Sequence, residues 1–223
     1  MAPRSLEQHL RGYRKLAVLA PHPDDEIFGG FGVIRLAQRL GLEIEVHIVS
    51  DGERCFGPLP ACEEEALRQA RRAESCQAAA LLGYAAPNFW QFGDSQLMEQ
   101  TPLIERQLRN QWRADTLCLA PWWHDGHPDH DAVALSLRQV AAPQACIYYP
   151  VWALIDLERR AEFMAQQGVE AIALTPPEHA LKQQAAALFA TQFSRHEGDH
   201  GAIIREDFLA EFTADHEYYL HDA

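Results

Sequence analysis

The stretch KLAVLAPHPDDEIFGGFGVIRLAQRLGLEIEVHIVS, residues 15–50, decides the fold. Residues 15–21 are a short apolar run that stops at Pro21 and gives way to polar HPDDE. A short apolar run closed by turn chemistry predicts a buried strand. Residues 27–40 then carry apolar side chains at helical spacing, with Gly29, Gly30 and Gly32 near their start. Residues 43–50 alternate and are rich in β-branched side chains, the pattern of a second strand.

The same alternation continues outward. A helix is expected over 62–82, with Glu63, Glu64 and Glu65 first and Gly83 just past its end, as the helix dipole and C-cap geometry favour. Strands are expected at 88–92, 116–121, 145–150 and 171–175, and helices at 102–112, 129–141 and 177–193. Strands and helices alternating at crossover spacing predict an α/β fold. The expectation is a single Rossmann-like domain over residues 1–223, a mostly parallel sheet flanked by helices on both faces, with its motifs within about 15–150. In open sheets of this kind ligands bind beyond the carboxyl ends of the strands.

Composition narrows the function. The 223 residues carry 19 Lys plus Arg against 32 Asp plus Glu, a net charge of −13, so most of the surface repels nucleic acid and anionic lipid. No apolar run approaches the ~20 residues of a membrane span, so no membrane insertion is expected. The N-terminal residues lack the features of a secretory signal. Five scattered cysteines without a C-x-x-C pair point to free thiols in a reducing, cytoplasmic setting. Gly29-Gly30-Phe31-Gly32 does not have the spacing of a dinucleotide-binding loop, and close helix–strand packing explains it better.

Two polar clusters follow strands and should be neighbours in space. In the first, His22 and Asp25 are three apart in a turn entering a helix, and an imidazole with a carboxylate suits zinc or iron(II). Asp24, left over beside them, is a natural general base. In the second, His124-Asp125-Gly126-His127-Pro128-Asp129-His130, His127 and His130 are again three apart at a loop-to-helix junction. Capping aspartates and solvated histidines would explain either cluster alone, but imidazoles and carboxylates converging on one cleft point to a metal site.

These clusters resemble the LmbE-like or PIG-L-like zinc-dependent N-acetylglucosamine deacetylases. The resemblance also takes in Ser50-Asp51-Gly52-Glu53, the Arg72-x-Glu74 helix and Phe92-Gly93-Asp94. It implies that His22, Asp25 and His130 are zinc ligands, that Asp24 is the general base, and that His127 stabilises the oxyanion or acts as general acid. It also implies a small N-acetylated sugar conjugate as substrate. In the last third, Lys182, Ala187, Leu188, Thr191 and Gln192 match the family loosely, with Phe189 where a hydroxyl-bearing aromatic is common.

The function expected is metal-dependent hydrolysis of an N-acyl group, most simply acetyl, by a protein with zinc or iron(II), with a homo-oligomer left open. Two rivals stand: a hydratase or lyase acting on a small unsaturated acid on the same scaffold, and a binding module without catalysis. Arg54, Trp123, His124 and Asp125 are the expected substrate contacts, with the 51–61 and 122–126 loops facing each other across the pocket. The charges of residues 62–74 read as an exposed helix face, and His196, His200, His216 and His221 as solvated.

Overall fold

The computed structural model describes residues 5–111, 113–193 and 202–221. Its strands are β1 (Lys15–Ala20), β2 (Glu43–Ser50), β3 (Asn88–Phe92), β4 (Thr116–Pro121), β5 (Cys146–Tyr149), β6 (Val169–Ala173) and β7 (His216–His221). The helices are α1 (Leu6–Leu10), α2 (Asp25–Phe28), α3 (Phe31–Leu40), α4 (Ala61–Leu82), α5 (Thr101–Gln111), α6 (Pro128–Val140), α7 (Leu157–Met164), α8 (Pro176–Ala186), α9 (Ala190–Phe193) and α10 (Glu206–Phe212). All seven strands lie in one sheet of order β3-β2-β1-β4-β5-β7-β6. The first five run parallel, and β7 is antiparallel to both β5 and β6.

β1 explains why helices cover both faces. Leu16, Val18 and Ala20 enter one core with Ile44, Val46, Ile48, Phe31 and Ile34, while Ala17 and Leu19 enter the other with Cys118, Val133 and Leu137. Side chains alternate across a strand, so a strand apolar at every position needs a cover on each side.

Several boundaries depart from the sequence reading. The helix expected over 27–40 is two pieces, α2 and α3, parted at Gly29-Gly30. A Cβ on Gly29 would lie 2.0 Å from Tyr149 Cδ2, so the glycine lets this junction pack onto β5. The helix expected over 177–193 is likewise α8 and α9. The largest difference is β7. His216–His221 forms a strand between β5 and β6, a pairing partner separated by a long stretch of chain that periodicity does not reveal. His221 is therefore buried, its Nε2 3.3 Å from Glu170, rather than solvated, while His216 is half-buried beside Asp215. His196 and His200 lie outside the described residues.

On β2, His47 is buried and accepts a hydrogen bond on Nδ1 from Trp90 Nε1 at 3.3 Å. Burial pulls its pKa down to about 4 against the opposing pull of Glu45. The unfolded chain therefore takes up a proton on His47 near pH 6.5 while the folded chain does not, and stability present above that pH is lost as pH falls toward 4. The expected loss attributable to His47 between pH 7 and pH 5 is about 1–2 kcal/mol. Urea midpoints of the wild type and His47→Gln at the two pH values measure it. Equal losses in the two proteins would show that His47 carries none of the dependence.

Candidate functional site

The site is built at the carboxyl ends of β1, β3 and β4. β1 runs into His22-Pro23-Asp24, and Asp24 holds a φ of +117°, a conformation that costs roughly 1–3 kcal/mol in a residue other than glycine. The Asp24 N–H donates to Glu26 Oε2 at 2.8 Å, which helps hold the turn. β4 leads through a loop to α6, where Pro128 takes the first turn and His127 caps the helix, accepting from the Asp129 N–H on Nδ1. His130, in the same turn, is fully buried.

Asp25 Oδ2 lies 3.4 Å from His22 Nδ1 and 3.2 Å from His130 Nε2. Two ligands bound to one tetrahedral ion at 2.0–2.2 Å stand about 3.4 Å apart, so each of these two spacings to Asp25 is one such an ion can bridge. The far nitrogen of each imidazole faces carboxylate. His22 Nε2 is 3.2 Å from both Asp94 and Asp129, and His130 Nδ1 is 2.7 Å from Asp125. Neither ring nitrogen of His130 completes a well-aligned hydrogen bond, although both are buried. Carboxylates on the outer nitrogens fix the tautomer that leaves the inner nitrogen free as a ligand.

The electrostatics agree. Burial disfavours a charge on His130, yet Asp25 and Asp125 raise its pKa to about 9. Burial opposes a charge on His22 as well, but Asp129, Asp25 and Asp94 outweigh it and lift that imidazole well above its usual range. A field that favours a proton on these imidazoles also favours a divalent cation among them. His22, His127 and His130 also offer ring nitrogens within 4.8 Å of one another, as do the donors of His22, Asp94 and Asp129.

Asp24 has a different environment. Burial pushes its carboxyl well above the usual carboxylate range, with Asp25 and Glu26 adding to the rise and Arg71 opposing it. Arg71 is 2% exposed and donates to Pro23 O and Gly52 O at 2.8 Å each and to Asp24 Oδ2 at 3.3 Å. Gly52, at φ +65°, permits this approach, since a Cβ there would lie 1.9 Å from Arg71 Nη1. His127 is pulled down to about 4 by burial and by its neighbours His22 and His130. Its Nδ1 accepts a hydrogen bond, so the neutral ring carries its proton on Nε2.

A cavity of about 70 Å³ joins these groups. Its polar wall holds His22, Asp24, Asp25, Arg71, Asp94 and His127, and its apolar wall holds Phe28, Val151, Trp152, Ile203, Ile204 and Phe212.

Compared with known proteins, residues 17–141 match the sequence profile of the PIG-L family, GlcNAc-PI de-N-acetylase, over more than half of the chain. The chain belongs to the PIG-L family. That membership supports metal-dependent N-deacetylation, and the residues gathered at the site could hold a metal. No individual curated protein sequence matches the chain. Among solved structures, it is similar to N,N'-diacetylchitobiose deacetylase from Pyrococcus horikoshii at TM-score 0.63 and 19% identity, covering 85% of this chain and 74% of that one. It is similar to A40926 pseudoaglycone deacetylase at TM-score 0.61 and 20% identity, covering 95% and 99%. It is also similar to 4-carboxy-2-hydroxymuconate hydratase from Pseudomonas putida KT2440 at TM-score 0.56 and 19% identity, covering 89% and 83%. At these identities the structural likeness shows a shared α/β fold.

In this PIG-L family chain the geometry brings together His22, Asp24, Asp25, His127 and His130, while the four expected substrate contacts go elsewhere. Arg54 gives its backbone N–H to Asp94, but its side chain is exposed and does not line the cavity. Trp123 packs edge-on against Tyr148 with the Arg138 guanidinium 3.9 Å over its ring, and lines a separate cavity of about 310 Å³. His124 is exposed and paired with Glu162 at 3.0 Å. Asp125 is fully buried and accepts the N–H groups of Val151, Trp152 and Ala153, so it braces His130 instead of meeting substrate. Cys55 of the 51–61 loop lines the cavity together with Val151 and Trp152, which follow β5, whereas no residue of the 122–126 loop lines it.

Four side chains at the site, Arg71, Glu74, Asp94 and Asp129, escaped the sequence reading as participants. Arg71 and Glu74 are buried, so this part of α4 is not the exposed face expected of it. Arg72, one position on, instead pairs with Asp51. Asp94 and Asp129 both clamp His22, and Asp129 also accepts from the Ser95 and Leu97 N–H groups. The signal for Asp129 lay inside the second histidine cluster as its one unassigned carboxylate.

Proposed function

We propose that this chain is a zinc-dependent hydrolase that removes the acetyl group from the amino nitrogen of an N-acetylated sugar conjugate. The supporting observation is one cavity lined by Asp24, a carboxylate held above its usual range, together with His22, Asp25 and His127, with His130 Nε2 buried 3.2 Å behind Asp25 Oδ2. In this reading His22 Nδ1, Asp25 Oδ2 and His130 Nε2 hold the zinc. When bound, zinc polarises the amide carbonyl and makes a nearby water more acidic. Asp24 accepts the proton of the attacking water, its pKa lifted by burial above the usual carboxylate range and its charge balanced by Arg71. His127 donates Nε2–H to the oxyanion as the carbonyl becomes tetrahedral. Because its Nδ1 already accepts from Asp129, His127 has one proton and serves as donor, and the proton taken by Asp24 is the one returned to the departing amine. None of the five cysteines is disulfide-bonded, which suits a cytoplasmic setting.

Metal analysis of the purified protein, followed by acetate release from a panel including N-acetylglucosamine and N,N'-diacetylchitobiose, tests the reading. One zinc per chain with acetate release is expected. Stoichiometric metal with hydration of an unsaturated dicarboxylate and no acetate release from any sugar would overturn it. His127→Ala is expected to lower kcat by about 10²–10³, the usual cost of an oxyanion donor, with metal content unchanged. A variant of unaltered kcat would remove His127 from the chemistry.

A further inference from the structure

The Gln192 side chain is buried between Asp24 and Arg71, and its amide suits both neighbours in one orientation only. In that orientation its NH₂ donates to Asp24 Oδ2 at 3.2 Å and its oxygen accepts from Arg71 Nη2 at 3.3 Å. Arg71 Nη2 also reaches Asp24 Oδ2, so both donors act on the same carboxylate oxygen. Oδ1 has no hydrogen-bond donor among the described residues, and Asp24 lines the cavity.

Gln192 is itself held from below. Glu74, one helical turn beyond Arg71 on α4, accepts from the Thr191 N–H at 2.9 Å and from Thr191 Oγ1 at 2.7 Å. The Gln192 carbonyl accepts from the Ile204 N–H at 3.1 Å. One face of α4 therefore grips the carboxylate directly through Arg71. It also anchors, through Glu74, the α9 segment that presses an amide onto that carboxylate.

We propose that Gln192, tethered to α4 by Thr191 and Glu74, is a positioning residue that locks Asp24 through Oδ2 and leaves Oδ1 for the reacting water. This rests on the reading of Asp24 as the base. A carboxylate held by one oxygen cannot rotate away from the proton it must accept, and misplacement by about 1 Å can cost on the order of 10²-fold. The last third of the chain, outside the matched 17–141 segment, thereby completes the active site.

The test uses the full-length, zinc-loaded protein and acetate release from N,N'-diacetylchitobiose. Gln192→Ala is expected to lower kcat by about 10–100-fold, with KM and bound zinc per chain unchanged and the protein fully folded at the assay temperature despite a modestly lower Tm. Thr191→Val should move kcat the same way by less, and Thr191→Ser, which keeps the hydroxyl, should restore it. Unchanged kcat in Gln192→Ala, or a loss that only follows zinc content or folded fraction, would overturn the proposal. A crystal structure of Gln192→Ala gives a readout free of substrate. The Asp24 carboxylate is expected to shift or split into two conformers, and an unmoved Asp24 overturns the proposal. If the wild type releases no acetate while Asp24 moves in the variant, the deacetylase reading fails and the positioning role survives.

Discussion

Asp24→Asn is expected to lose about 10²–10⁴ in kcat while keeping its metal and its fold, the usual worth of general-base catalysis. The amide is nearly the shape of the carboxylate, so the contacts to Arg71 Nη2 and to the Glu26-held backbone can persist. What disappears is the proton acceptor, whose pKa burial raises and whose position the strained turn fixes. Steady-state kinetics with metal analysis on the same preparations measures the effect. A variant that keeps wild-type kcat would move the base elsewhere, and Glu26, buried and raised to about 7, would be the next carboxylate to test.

Asp25→Asn should show the opposite signature. Asp25 Oδ2 stands between His22 Nδ1 and His130 Nε2, and its carboxyl is held well below the usual range: the pull of His130 and His22 outweighs the cost of burial. Replacing a charged ligand by a neutral amide is expected to weaken metal affinity by more than the roughly 10–100-fold that outer contacts are worth. Competition with a chelator of known affinity measures the drop, and excess zinc should restore part of the activity. If Asp24→Asn strips the metal while Asp25→Asn retains it, the roles of these adjacent aspartates are exchanged.

The parts of this site legible in the sequence are those set by short spacing. His22 and Asp25, and likewise His127 and His130, are three apart at loop-to-helix junctions, and each junction follows an apolar strand. Local chain geometry then fixes which side chains share a direction, and the strand-end rule brings the two junctions together. Arg71 gave no such signal, because a charge on an amphipathic helix normally faces water. Its burial depends on two carbonyls, Pro23 and Gly52, supplied by a different part of the chain. Asp125 looked like a pocket residue by position and proved to be a brace, since the three N–H groups it accepts belong to residues 151–153.

By itself the sequence determined the alternation of β1 to β5 with helices, the two faces of the sheet, and the edge where the histidines and aspartates gather. These follow from periodicity and turn chemistry, which act over a few residues. The tertiary structure alone decided the insertion of β7 between β5 and β6, the apolar wall of Trp152, Ile204 and Phe212, and the clamp of Arg71 and Gln192 on Asp24. Each of these joins segments far apart in the chain. Their pairing is set by which buried donors and acceptors meet once the sheet is assembled, and no local pattern encodes that.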